Sequence, residues 1–460
     1  MAQINKPVDH FNTLLYSGTG SARTVTGVGF QPDFFWIKQR SSNQGHLLWD
    51  TIRNGNYYLP SSNDVAQAND IGTFTAASDG YSFATDGAYN GNSSTYVGWN
   101  WLAAGSTPSK TYTVKVVDDS GNKYRFDDFG TSAVTLELSE GGTYTFDQSD
   151  SSNSGHPLRF YTASDKSGGE YTTGVTTNGT PGSSGAYTRI TVASSAPTLY
   201  YQCSAHAGMG GQANTPTTNS FSNFDGSIQS NVSPSTTAGF SIVSYTGTGS
   251  AQTVGHGLSS VPKMILFKCR DNTDEWRVYH VSISATKFLR LNGTNATTDS
   301  PTFMFNGTTP TSSVFSVGAG NSRSGNGHIA YCFAEKKGYS KFGAYKGNGQ
   351  ASDGPVVYLG FSPAFVIIKR TDAADDWRIL DNKRSSSTHN PINKHLYADS
   401  NAVEGSSSTN GVADGLDFLS TGFKVRQATN GLNASGGDYV FMAFAEQPLV
   451  GTNNVPATAR

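Results

Sequence analysis

The chain repeats itself three times, and that repetition limits its possible folds more than any other property. Tyr16–Arg40 reads YSGTGSARTVTGVGFQPDFFWIKQR, Tyr245–Arg270 reads YTGTGSAQTVGHGLSSVPKMILFKCR, and Tyr345–Arg370 reads YKGNGQASDGPVVYLGFSPAFVIIKR. Each copy carries a tyrosine, a Gly-x-Gly pair, a proline, an apolar run and a closing arginine at nearly the same offsets. The match continues through HLLWD (His46–Asp50), WRVYH (Trp276–His280) and WRILD (Trp377–Asp381), and through runs near Phe83, Phe315 and Phe423. It ends on TYVGWNWLAA, HIAYCFAEK and YVFMAFAEQ, which bring Trp101, Phe333 and Phe444 into register. These are three diverged copies of one unit of roughly 95 to 105 residues, an ordinary domain size.

The unit reads as strands throughout. PDFFWIKQR and PAFVIIKR are short apolar runs bounded by proline and by charge, as buried sandwich strands are. Gly-x-Gly and Asn-Gly pairs supply the positive φ that hairpins need. No stretch sustains a helical period. Hydrophobic residues make up only 36% of the chain while aromatics reach 12%, the mixture expected of short strands joined by polar turns. The expected fold class is all-β: tandem antiparallel β-sandwich or jelly-roll domains, arranged as a row of separately packed, strand-only modules.

Copies two and three abut, whereas copy one lies more than two units upstream of copy two. The interval holds a stretch that does not fit the repeat, followed by a connector rich in Ser, Thr and Asn. The expected division is therefore 1–105 for unit one with a short N-terminal arm, 110–215 for a different domain, 216–238 for a polar linker, 239–338 for unit two and 339–460 for unit three.

The different domain opens with TYTVKVVDDSGNKYRF, two alternating strands around a turn, and ends on LYYQCSAHAGMGG. A copper electron-transfer site needs a thiolate and two imidazoles in a near-trigonal plane with a weak axial thioether. Cys203, His206 and Met209 on one loop provide three of these, and Gly208 lets the loop fold back. The fourth must come from elsewhere in the sheet, and His156 is the only other histidine in this domain. Two other readings stay open: Zn²⁺ in a Cys/His₂ set, and a metal-free sandwich in which Cys203 is a small buried hydrophobe.

Elsewhere the side chains point to no chemistry. DNTDEW (Asp271–Trp276) and TDAADDW (Thr371–Trp377) cluster carboxylates at equivalent places, and a solvated turn is preferred to a calcium site. Cys269 and Cys332 occupy strand positions that carry Gln39 and Asn100 in copy one, and read as inert free thiols. His10, His46, His256, His280, His328, His389 and His395 are scattered and read as surface or turn residues. No nucleophile elbow, zinc-protease helix or phosphate loop occurs, so no catalytic residues are assigned and the chain is not expected to be an enzyme. A net charge of −2 without a basic stripe speaks against nucleic acid. No apolar run approaches bilayer length, and MAQINKPVDHFNTLLYSG lacks the layout of a secretory leader. Synthesis in a cytoplasm, without membrane insertion, is expected.

Two resemblances add to this reading. The middle domain, with one upstream His followed by Cys, His and Met on a loop, resembles the cupredoxins, the plastocyanin and amicyanin group. That likeness implies a Greek-key sandwich with copper held by His156, Cys203, His206 and Met209. It departs from many cupredoxins at Gly155, where those proteins carry an asparagine. The phrases INKPVDHFNTLLYSGTGSARTVTGVGFQPDFFWIKQRS, TYVGWNWLAAG and LYYQCSAHAGMGG resemble virion proteins of tailed bacteriophages of marine and cyanobacterial hosts. That resemblance implies a structural role in the virion, as a tail fibre or tail-tip subunit aiding host attachment, with capsid decoration and copper redox chemistry as alternatives. It also implies other virion proteins as partners, assembly into a homo-oligomer with a trimer favoured, and a host glycan or protein as receptor. Tyr57, Tyr58, Tyr89, Trp99 and Trp101 are candidates for stacking on sugars.

Overall fold

A computed structural model describes residues 3–53, 57–69, 74–105, 107–385, 390–406, 415–450 and 456–457. Among these, nearly every element is a strand; the exceptions are three 3-10 turns and one α-helical turn, Asn430–Asn433. The chain is all-β, built of sheets stacked as sandwiches, antiparallel in the repeats and with two parallel strand pairs in the inserted domain. No helix among the described residues is long and apolar enough to cross a membrane.

The three repeats share one topology. In unit one the large sheet runs Phe11–Ser17, Thr95–Trp101, Phe34–Gln39, Leu47–Asp50, and a small sheet of Arg23–Thr26, Gly80–Phe83 and Phe74–Ala77 covers one face. Unit two places Phe240–Thr246, Gly327–Ala334, Pro262–Cys269 and Arg277–His280 in the same order, and unit three places Ser340–Lys346, Asp438–Ala445, Pro363–Arg370 and Arg378–Asp381 likewise. The repeat's tyrosine stacks across the ladder on a ring in each: Tyr16 on Tyr96, Tyr245 on His328, Tyr345 on Tyr439. Each hydroxyl donates to a loop carbonyl, at Tyr89, Asn321 and Leu432. The second glycine of each Gly-x-Gly pair, Gly20, Gly249 and Gly349, has φ of 69°, 81° and 70°. A side chain is strained there, which accounts for the repeat's strictest feature.

The large sheets are buried on both faces. Along Phe34–Gln39 every residue is buried; Phe35 and Ile37 fill unit one's own sandwich, while Phe34 and Trp36 enter a second core that all three units share. At its centre Trp101, Phe333 and Phe444, equivalent residues of the three copies, meet with ring centroids 5.6 to 6.2 Å apart. The expectation of separately packed modules is therefore corrected: the units close a ring about a pseudo-threefold axis. The reason lies in the strands, whose apolar residues do not alternate with polar ones and so leave a second face to cover.

Polar bonds close the same ring. Asp50 of unit one accepts from the Tyr331 hydroxyl of unit two at 2.6 Å, and Asp381 of unit three accepts from Trp99 Nε1 of unit one at 2.9 Å. At the third junction His280 of unit two bonds the Phe441 carbonyl of unit three at 3.1 Å. Trp276 Nε1 donates to Pro60 O, Trp377 Nε1 donates to Arg290 O, and His46 Nε2, at the equivalent place, bonds Tyr397 O. Lys38, Lys268 and Lys369 are all buried, each with its ammonium group on the carbonyl of its own strand's last residue, and burial lowers each to about 8.

Several further expectations change. The segment 216–238 is not a linker: Phe221–Asn223 and Ser230–Ser235 extend unit two's large sheet. Its short polar side chains still let the backbone pair, and Phe221, Phe224 and Val232 anchor it in the core. His46, His256, His280, His328 and His395 are buried, not surface residues; His10 is half-buried, and His389 lies outside the described residues. Trp99 and Trp101 are fully buried strand residues and Tyr89 is buried, so these cannot stack on sugars, whereas Tyr57 is exposed. Cys269 and Cys332 are buried free thiols, as expected.

Two outcomes follow from the shared core. Phe444→Ala should cost about 3–5 kcal/mol and lower the stability of all three units together, seen as one shifted transition by calorimetry. The second concerns acid. Trp36 Nε1–H donates to His46 Nδ1, Leu258 N–H to His256 Nδ1, Ser282 N–H to His280 Nδ1, and Arg323 N–H to His328 Nε2. Each imidazole must stay neutral to accept, and burial lowers them to about 3, 4, 4 and 4 in that order. The unfolded histidines titrate near 6.5, so below that pH unfolding takes up protons and stability falls. The histidines' contribution to stability should be full above about pH 6.5 and decline steadily toward pH 4, each contributing at most about 1.4 kcal/mol per pH unit; urea titrations across this range, compared with those of a His280→Gln variant, read it.

Candidate metal centre

The inserted domain spans Ser109–Asp118 to Gln212–Asn214 as two facing sheets. One is ordered Val175–Asn178, Tyr187–Thr191, Thr143–Asp147, Ser109–Asp118, Asn122–Phe126; the other Leu136–Glu137, Gln212–Asn214, Leu199–Cys203, Leu158–Tyr161. Its core of Tyr112, Phe126, Phe146, Phe160 and Tyr201 merges with unit two's sandwich through Phe221 and Phe224.

Register brings the site together. Leu158 pairs with Cys203, so His156, two residues before Leu158, stands beside the end of the cysteine's strand. The loop then reverses at Gly208, with φ of 70°, and returns as Gln212–Asn214 beside Leu199 and Tyr200. At Gly210 an added Cβ would overlap the Tyr201 carbonyl, so that residue must be glycine.

His156, Cys203 and His206 place one donor atom each within 4.8 Å of one another. Cys203 Sγ lies 3.5 Å from His206 Nδ1 and 3.9 Å from His156 Nδ1. Two ligands on one ion, sulfur at about 2.3 Å and nitrogen at about 2.0 Å, stand about 3.5 to 3.7 Å apart. The three donors thus fit a single ion. Cys203 is fully buried, His156 half-buried and His206 exposed, so the cluster opens to solvent along one imidazole. Met209 lies on the same loop with its side chain buried in the sandwich core.

The surrounding groups hold the loop. The Met209 carbonyl accepts from Tyr124 N, Gly210 N donates to Gln202 Oε1, and Ser204 N donates to Pro157 O. Lys166 Nζ lies 3.1 to 3.4 Å from the carbonyls of Cys203, Ser204 and His206, and Lys123 Nζ donates to Gly208 O. The His156 carbonyl accepts from Tyr124 Oη and Gln148 Nε2, both at 2.9 Å. Burial and then the facing His206 lower His156, favouring the neutral imidazole that ligates. Burial, reinforced by Cys203, drives the Tyr124 phenol well above its ordinary range. Lys123, Tyr124, Gln148 and Lys166 went unnoticed in the sequence, because nothing in their spacing links them to the loop. Asn153, three residues before His156, is buried and donates to Val114 O at 2.7 Å. It steadies the turn before His156, where Gly155 stands in place of the asparagine of many cupredoxins.

The acidic clusters behave as turns. Asp274 is paired with Arg277, Asp375 with Arg378, and Asp372 with Arg370. Among the described residues, the His156–Cys203–His206 group is the only one with three or more metal-type donors in reach of one another.

A soft divalent ion or copper should therefore bind one per chain. At a hundredfold excess over its dissociation constant, it should stabilise the folded chain by about 2.7 kcal/mol. Cys203→Ser and His206→Ala should each abolish that gain while leaving the metal-free melting temperature nearly unchanged for the exposed His206; calorimetry with and without metal reads both.

The chain matches a family described as a domain of unknown function, DUF7483, over residues 6–125 and 213–448. The match covers all three repeat units and the first two strands of the inserted domain, and omits the stretch with His156, Cys203, His206 and Met209. No curated protein and no solved structure matches the chain. With its repeats accounted for by that one match, the protein belongs to the DUF7483 family.

Proposed function

We propose that the chain is a structural protein of a tailed-phage virion, a tail-fibre or tail-tip subunit that contributes to host attachment. The observation that carries this reading is the closed three-unit ring, in which both faces of every large sheet are committed to packing. Such a body is rigid and resists local opening, which suits mechanical display. The phage-like phrases of the sequence point the same way. Mass spectrometry of density-purified virions, followed by placement of the chain in an imaged particle, tests the proposal. Finding the chain on the tail is the expected result, and its absence from purified virions would refute it. Hundreds of copies per particle on the head would instead favour capsid decoration.

A second reading rests on the three-donor cluster. The inserted sandwich is proposed to be cupredoxin-like and to hold copper through His156, Cys203 and His206, with Met209 as a weak fourth ligand. A thiolate and two imidazoles are the donors that suit such an ion. Copper loading should give a blue chromophore and a copper(II) paramagnetic signal, both lost in Cys203→Ser. A colourless protein with a bound ion of another kind would leave only a stabilising role for the metal.

A further inference from the structure

One copy of the unit carries an open sheet edge that another copy covers. In unit three the strand Val356–Tyr358 pairs on one side with Gly422–Val425. Val425 N donates to Pro355 O and Leu359 N donates to Thr421 O. By the alternation of an antiparallel ladder, Val357 turns its backbone groups to that partner, while Val356 and Tyr358 turn theirs outward. No strand pairs with the outer side among the described residues. Val356 and Tyr358 are also 64% and 73% exposed, among the most exposed large apolar side chains described. An apolar edge left open in this way invites strand addition.

Unit two shows what fits there. Val254 opposes Phe315 as Val357 opposes Phe423, and both phenylalanines meet their unit's tyrosine edge-on. Thr253 is therefore the equivalent of Val356. Its outward groups are both taken: Thr253 O accepts from Ile228 N at 3.3 Å, and Thr253 N donates to Ser227 Oγ at 2.9 Å. Ile228 bridges Val254 in parallel and packs against the core. The covering segment, Asn223–Gln229, is the bend NFDGSIQ that joins Phe221–Asn223 to Ser230–Ser235, and its Asp225 lies beside Gly255, the counterpart of Tyr358.

Charge completes the comparison. Beyond Tyr358 the edge runs into a cleft of about 710 Å³ lined by Lys263, Lys336, Lys337 and Lys341, with Glu335 the only carboxylate. Glu335 is taken by Lys341 at 2.8 Å and the buried Lys336 ammonium bonds the Thr236 carbonyl, which leaves the cleft positive through Lys263 and Lys337. In unit one the equivalent edge presents Arg23, Thr24 and Thr26, polar residues that ask for no cover.

We propose that the Val356–Tyr358 edge is a docking site for a short acidic segment of a partner chain. The segment bonds the outward backbone groups of Val356, sets an apolar side chain where Ile228 sits in unit two, and turns its carboxylates toward the lysine cleft. Backbone bonds to Val356 give the register, and the lysines select acidic sequences.

The test uses the full chain and a fluorescein-labelled synthetic peptide, NFDGSIQ, read by fluorescence anisotropy. Saturable binding is expected, weakened at least about tenfold, or about 1.4 kcal/mol, by Val356→Pro and by Tyr358→Ser. A peptide methylated on the isoleucine nitrogen should bind equally poorly, a control that needs no change to the protein. Replacing the peptide's aspartate by lysine should weaken binding as well. No saturable binding, or binding indifferent to these changes, overturns the proposal. So does a concentration-dependent dimer abolished by Val356→Pro, which would make a second copy the occupant.

Discussion

Everything in the molecule depends on the second buried face of the large sheets. A sandwich needs one apolar face per sheet, and Phe35, Ile37 and Trp49 supply it in unit one. Phe34, Trp36, Trp99 and Trp101 are surplus to that core and would stand in water in an isolated unit. Aromatic side chains of this size bury 150–250 Å² each, so their exposure is strongly unfavourable. Three units sharing one axis remove the problem at once, since each sheet covers the next and the ring closes with no face left over.

The polar contacts around the ring show how far the copies have drifted while keeping one geometry. Asp50 and Asp381 each hold a buried arginine, Arg53 and Arg384, at 2.6 Å, and each also accepts from a ring donor in the next unit. Unit two lacks the carboxylate, and His280 makes the junction instead. His46 likewise stands where the other copies have tryptophan. Buried charges that lose a partner are costly, so such positions change only when the junction finds another bond. The surrounding apolar contacts are less demanding, and the equivalent position is Trp101 in one copy and Phe333 and Phe444 in the others.

The inserted domain obeys different rules. Its own core is complete, yet it fuses with unit two through Phe221 and Phe224, so it is anchored on one copy and breaks the ring's symmetry. The three metal-type donors meet at the end of the sandwich, His156 ahead of one strand, Cys203 at the end of its neighbour and His206 on the loop that follows, which lysine-to-carbonyl bonds hold. A site at a loop end can vary while the scaffold beneath it stays put. The family match, which passes over this stretch, fits that separation of scaffold and insert.

Sequence alone determined the strand content, the threefold repeat and the cluster of His156, Cys203 and His206. These rest on local signals: short apolar runs between turn residues, positive-φ glycines, and a Cys-x-x-His loop in a domain with one other histidine. It misjudged the buried histidines and the polar strands Phe221–Asn223 and Ser230–Ser235, because composition registers what a side chain prefers and not what the backbone beside it offers. The ring itself was decided only in three dimensions. Whether the outer face of Phe34–Gln39 meets solvent, a neighbouring domain or another chain depends on contacts between residues hundreds of positions apart, such as Trp99 with Asp381, and no local pattern carries that information.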